Sequence, residues 1–161
     1  MFHTQSLSLL PRNGHSAPFV ELRQSLPSKV AAISPFADQL MHFILNFRSA
    51  DGSEADIEMA LHEALANAVI HGNGENSCKH VYVECRCYTD GEVSITVRDE
   101  GRGFDCNAIP NPTFRENLLF TYGRGIYLMK MLMDEISFEE GGAVVMMLKK
   151  SNANSAERRK P

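Results

Sequence analysis

The apolar positions of the chain change period several times, and each change marks an element. Phe19, Leu22 and Leu26 form a short apolar run closed by Pro27-Ser28, which predicts a first strand. From Ser28 onward Val30, Ile33, Phe36, Ala37, Leu40, Phe43, Ile44 and Phe47 recur at spacings of three and four. That is the stripe of an amphipathic helix, with Pro35 setting a kink or a late start. Asp51-Gly52-Ser53 closes this helix, and Ser53 or Asp56 caps a second one over about 54–72, with Ile57, Leu61, Ala64, Leu65 and Ala68 on one side.

The period then shortens to two. Val81, Val83, Cys85 and Cys87 alternate with polar residues, Asp90-Gly91 turns the chain, and Val93, Ile95 and Val97 alternate again, predicting a β-hairpin. From Asp99 to Tyr122 the chain is rich in Gly, Pro and Asn with brief apolar content, the pattern of a long loop or lid, which includes Phe114, Arg115, Glu116 and Asn117. A helix from Gly125 to about Glu135 follows, with Ile126, Met129, Leu132 and Met133 as its buried stripe. A last hairpin pairs Ile136-Ser137-Phe138 with Val144 to Leu148 across Gly141-Gly142.

This order of elements predicts an α+β two-layer sandwich in which helices cover one face of a mixed, mostly antiparallel sheet. Residues 1–16 read as a flexible leader, 17–150 as the domain and 151–161 as a disordered tail.

Composition narrows the function classes. With 161 residues, 43% hydrophobic and 22% charged, the chain has the make-up of one soluble domain. A net charge of -4 and a pI near 5.8 argue against a surface that neutralises phosphate backbones, so direct nucleic-acid binding is not expected. The amino terminus lacks a signal-peptide core and no run approaches a membrane span, so the expectation is a cytoplasmic protein. Cys78, Cys85, Cys87 and Cys106 show no Cys-x-x-Cys spacing and read as reduced structural thiols.

Three short stretches carry the candidate chemistry. In the second helix Glu63, Asn67 and His71 stack at i, i+4 and i+8 among small alanines, and Gly72-Asn73-Gly74 ends the helix with residues suited to positive φ. The Asn67 carbonyl is suited to a magnesium shell that keeps several waters, and Glu63 to taking a proton from an attacking hydroxyl. The same pair also reads as a solvated polar row. Asp99 ends a strand before a glycine turn, where a carboxylate accepts a hydrogen bond from an exocyclic amino group such as that of adenine. Gly101 and Gly103 let the backbone pass close to a flat ring, although the run equally reads as an exposed turn. Gly123-Arg124-Gly125 opens a helix, so free N–H groups face phosphate oxygens and Arg124 adds a charge-assisted contact, while glycine is also common at helix starts for its own sake. There is no Gly-x-x-x-x-Gly-Lys-Ser/Thr run.

In combination the stretches say more. Leu61-His62-Glu63-Ala64-Leu65-Ala66-Asn67-Ala68-Val69-Ile70-His71-Gly72, then Val97-Arg98-Asp99-Glu100-Gly101-Arg102-Gly103-Phe104-Asp105, then Gly123-Arg124-Gly125-Ile126-Tyr127-Leu128-Met129 resemble the boxes of a known ATP-binding superfamily. It is the one shared by DNA gyrase, the sensor histidine kinases and the anti-sigma factor kinases, with the histidine-kinase-like ATPase or Bergerat fold. The closer resemblance, over about residues 20–150, is to the small serine/threonine kinases that act as anti-sigma factors.

The resemblance implies Glu63 as catalytic base, Asn67 as magnesium ligand and Asp99 as adenine contact. It places Gly101 and Gly103 at the nucleotide and Gly123 and Gly125 at the phosphates. ATP and Mg²⁺ are the implied cofactors. An anti-sigma-factor antagonist is the implied phospho-acceptor, a sigma factor the implied binding partner and a homodimer the implied assembly. Two positions depart from the pattern: Gly142-Ala143 stands where many relatives have Gly-Thr, and Tyr127 where a glycine is common. These departures leave a second expectation, a nucleotide-gated binding module that does not catalyse transfer.

Overall fold

The computed structural model describes residues 18–47, 52–102 and 121–151. The leader, the lid with Gly103 and Cys106, and the tail beyond Ser151 lie outside the described residues. The elements follow the predicted order: β1 (Pro18–Pro27), α1 (Ile33–Asn46), α2 (Glu54–Ala66), β2 (His80–Tyr88), β3 (Val93–Arg98), α3 (Thr121–Leu132), β4 (Glu135–Glu139) and β5 (Val144–Lys149).

The five described strands form one sheet in the order β1-β2-β3-β5-β4, and every pairing is antiparallel. The last hairpin inserts its second strand beside β3, setting Val145 opposite Val97, and β4 takes the edge. Register then sorts the side chains, because residues directly opposite share a face. Leu22, Cys85, Ile95 and Met147 lie in one row across four strands and are buried. The neighbouring row, Arg23, Glu84, Thr96 and Met146, faces the other way, and on that side Arg23 and Arg86 pair with Glu21 and Glu84.

The helices cover the apolar face. Ile44 of α1, Ile57, Leu61 and Leu65 of α2 and Met129 of α3 are buried in one core with the inward strand residues. α1 starts late, as Pro35 allowed: a single 3₁₀ turn at Val30–Ala32 precedes it, Val30 is exposed, and Pro35 sits in the first turn, where a missing N–H costs nothing. Cys85 and Cys87 are buried thiols of this core that form no disulfide, and the adjoining Cys87 thiol together with burial pushes Cys85 well above the ordinary thiol pKa. No described helix is long and apolar enough to cross a membrane.

Three local expectations need correction. The second helix does not keep one period over 54–72: from Asn67 to Gly72 it widens into a π-helix, closed by Asn73 N–H donating to Ala68 O at 2.8 Å. The extra residue per turn carries His71 out of the Glu63 and Asn67 row and leaves it exposed. Positive φ falls on Gly74 (63°) and Glu75 (54°) rather than on Gly72 or Asn73, whose φ is -89°. The third helix begins at Thr121, so Gly123 lies in its first turn and Gly125 in its second.

Candidate functional site

The site lies where α2, its π extension, the end of β3 and the start of α3 meet. α2 and α3 are held side by side by Lys149, whose Nζ donates to Asp56 Oδ2 at 2.9 Å near the start of α2 and to Leu132 O at 2.5 Å at the end of α3. At the other end of this helix pair Gly125 presents bare backbone. A Cβ on Gly125 would lie 2.5 Å from Glu63 Oε2 and 3.5 Å from Asn67 Nδ2. The predicted base and the predicted metal ligand therefore converge on one bare stretch of the α3 backbone.

Asp99 makes the second cluster. Its N–H donates to Ala143 O at 3.0 Å, tying the end of β3 to β5, and its Oδ1 accepts from Gly101 N–H at 2.7 Å. The carboxylate lies over the Cα of Gly72, where a Cβ would collide with it. Gly101 is as tightly held, since a Cβ there would meet the Gly72 carbonyl oxygen and lie 2.6 Å from Asp99 Oδ1. Burial raises the Asp99 pKa above the ordinary carboxylate value of 3.8, against the lowering effect of the Gly101 N–H and the Lys79 charge.

Asn67 joins the clusters. It and Asp99 line a small open cleft whose remaining walls are small or apolar, among them Ala64, Val97, Met129 and Ala143. An apolar slot with a few convergent polar groups is the usual composition of a small-molecule site. Among the described residues, Asn67 Nδ2 is the buried side-chain atom left without a hydrogen-bond partner. A buried amide nitrogen without a partner fits a residue whose side chain meets a ligand.

The predicted residues are thus brought together unequally. Glu63, Asn67 and Gly125 meet, Asp99 and Gly101 meet, and Asn67 and Asp99 share the cleft. Gly123 is in the first turn of α3, where backbone N–H groups have no partner within the helix, and Arg124 is exposed beside it. Ala143 is a cleft wall with no hydroxyl to offer, whereas Tyr127 is 40% exposed and stands outside the cleft. Asn73 was missed as more than a helix stop. It is buried, and its side chain accepts from Glu100 N–H at 2.8 Å and donates to His80 O at 2.9 Å. No local pattern announces bonds to residues seven and twenty-seven positions away.

Comparison with known proteins agrees with this fold. The model of the histidine kinase-like ATPase domain matches residues 26–149. The serine-protein kinase RsbW of Staphylococcus epidermidis is 31% identical over 143 residues, covering 81% of this chain and 86% of that one. The anti-sigma F factor of Bacillus subtilis is 29% identical over 139 residues, covering 83% and 85%. The anti-sigma F factor of Heyndrickxia coagulans is 39% identical over a shorter stretch of 92 residues, 54% of this chain and 63% of that protein. Among solved structures, the RsbU and RsbW domains of a Mycobacterium tuberculosis protein superpose with a TM-score of 0.56 at 22% identity, over 84% of this chain and 33% of that one, a likeness of fold.

The fold and the site define an ATPase domain of the histidine-kinase type, and the chain belongs to the histidine kinase-like ATPase domain family. Within that family its relatives place it in the branch of serine-protein kinases and anti-sigma factors.

Proposed function

We propose that the chain is an ATP- and Mg²⁺-dependent protein serine/threonine kinase that acts as a cytoplasmic anti-sigma factor, phosphorylating a small anti-sigma-factor antagonist and binding a sigma factor. The observation that carries this reading is the convergence of Glu63 and Asn67 on Gly125 at the edge of a cleft that holds Asp99. The names of the Staphylococcus and Bacillus relatives supply the reaction class and the regulatory setting.

In this reading Asp99 accepts the exocyclic amino group of the base, over Gly72 and Gly101, while Val97, Met129 and Ala143 hold the ring away from water. Asn67 would hold Mg²⁺ through its side-chain oxygen, and that ion supplies charge neutralisation along the triphosphate. Gly123, with the first-turn N–H groups of α3, and Arg124 receive phosphate oxygens. Gly125 contributes bare backbone that leaves the Glu63 carboxylate its place. Glu63 takes the proton from the acceptor hydroxyl, and the γ-phosphoryl group passes to that oxygen as the bond to ADP breaks. Phosphoryl transfer asks mainly for such positioning and charge placement. A homodimer completes the reading by analogy with the family.

A second reading is favoured by one position. Ala143 leaves the cleft without the hydroxyl that many relatives carry there, which suits a nucleotide-gated binder that sequesters a regulator without transfer. Incubation with ATP, Mg²⁺ and an antagonist-type partner separates the two: phosphoserine on the partner supports the kinase. Tight nucleotide-dependent binding with no phosphoserine on any antagonist offered supports the binder.

A further inference from the structure

Three segments distant in sequence close a ring of hydrogen bonds beside the cleft. Asn73 Nδ2 donates to His80 O at 2.9 Å, His80 N–H donates to Glu100 Oε2 at 2.6 Å, and Glu100 N–H donates back to Asn73 Oδ1 at 2.8 Å. Each member comes from a different place: the end of the π-helix, the first residue of β2 and the turn after β3. Asn73 is 4% exposed and uses both ends of its amide, while its own N–H closes the π turn on Ala68. A buried amide with both ends satisfied is a rigid bracket, because swinging it costs two bonds at once.

What the bracket holds is Asp99. That residue is fixed from behind by its N–H on Ala143 O, and the next residue along is gripped by Asn73. Its carboxylate sits over Gly72, immediately before Asn73 in the chain, so Asn73 fixes both the floor and the turn that carries the carboxylate. A turn freed from Asn73 would let the carboxylate rotate toward water, which is where a half-buried carboxylate is better solvated.

We propose that Asn73 is a positioning residue for base selection: through Glu100 it holds the Asp99 carboxylate over Gly72, where it favours nucleotides that carry an exocyclic amino donor. The inference rests on the nucleotide reading above and goes beyond it in naming what sets selectivity. Asn73 touches no nucleotide; it acts through Asp99.

The test compares ADP with inosine diphosphate, which lacks the exocyclic amino group, by calorimetric titration of the whole chain. The parent chain prefers ADP. Asn73→Ala lowers ADP affinity about tenfold, the scale of one hydrogen bond, and leaves inosine diphosphate affinity nearly unchanged, so the preference collapses. Glu100→Ala, which alters an exposed side chain and keeps the fold, shifts the preference the same way by less, and Glu100→Gln, which retains an acceptor for His80 N–H, restores it. Should Asn73→Ala fail to fold, the Glu100 pair decides alone. An equal loss for both nucleotides, an unchanged preference in the variants, or a parent chain with no preference overturns the role of Asn73. A parent chain that binds neither nucleotide overturns the nucleotide reading itself.

Discussion

Gly125 of α3 lies so close to Glu63 of α2 that a methyl group in place of its hydrogen would sit 2.5 Å from the carboxylate oxygen Oε2. The contact explains a glycine in the second turn of a helix, where it is otherwise about 1 kcal/mol worse than alanine. The obstruction is the far end of a flexible side chain, so Gly125→Ala moves Glu63 and spares the fold. Thermal denaturation of Gly125→Ala is expected to show stability equal to the parent or up to about 1 kcal/mol higher. Phosphate transfer is expected to fall at least about tenfold with ADP affinity changed much less. Equal losses in binding and transfer would remove the link between the two residues.

Gly101 is a different case, because a Cβ there meets the backbone carbonyl of Gly72 as well as Asp99 Oδ1. Backbone cannot swing aside. Gly101→Ala is expected to cost about 1–3 kcal/mol in a urea melt and to weaken ADP binding together with stability. A variant with parental stability and affinity would show that the turn is looser than the geometry says.

Asp99 ties stability to pH with a definite sign. Burial first of all raises its folded pKa above the ordinary 3.8, so the folded state holds the proton more tightly than the unfolded one. Stability attributable to this group is then present at low pH and is lost as pH rises from 3.8 through the raised folded value. Asp99→Asn removes the cost of an ionised carboxylate, so at neutral pH the variant is expected to be at least as stable as the parent. That advantage shrinks as the buffer is acidified toward 3.8. ADP binding runs the other way: the parent loses affinity on acidification through the raised value, and the variant is weak throughout. Denaturant melts and ADP titrations over a pH series check both signs, and a variant less stable at neutral pH than in acid, relative to the parent, contradicts them.

Lys149 is the brace between helices. Its side chain is 13% exposed, and losing it leaves Leu132 O and Asp56 without their bonds. Lys149→Met is expected to lower stability by about 1–2 kcal/mol, because Asp56 remains partly solvated. The exposed pair Arg98 and Glu140 is the control, and Arg98→Ala is expected to stay within about 0.5 kcal/mol. Equal effects in chemical denaturation would mean that burial does not separate the two.

The elements were legible because their periods are clean. Val81 to Cys87 and Val93 to Val97 alternate strictly, so these strands fall where the pattern puts them, while Ile126, Met129 and Met133 keep the spacing that announces α3 although it starts earlier, at Thr121. The order of strands was less accessible, since nothing local tells β5 rather than β4 to pair with β3. The π turn at Asn67 was hidden for a related reason: no proline or change of pattern marks it, and the widening goes with long-range contacts at Gly72 and Asn73. In the site, the residue types of Glu63, Asn67 and Asp99 were readable as chemistry, and the glycines as turns, helix starts and close approach to a ligand, but not as clearance for a carboxylate. Gly72, Gly101 and Gly125 prove to be places where backbone faces a carboxylate, a relation between elements that no spacing encodes.

The central claim is that Glu63 serves transfer to a protein hydroxyl rather than nucleotide binding. The direct measurement follows labelled γ-phosphate from ATP to an anti-sigma-factor antagonist in the presence of Mg²⁺, for the parent and for Glu63→Gln. The account predicts transfer to serine or threonine by the parent, transfer reduced by at least about a hundredfold in the variant, and ADP affinity within about threefold of the parent. Transfer by Glu63→Gln at the parental rate would contradict it.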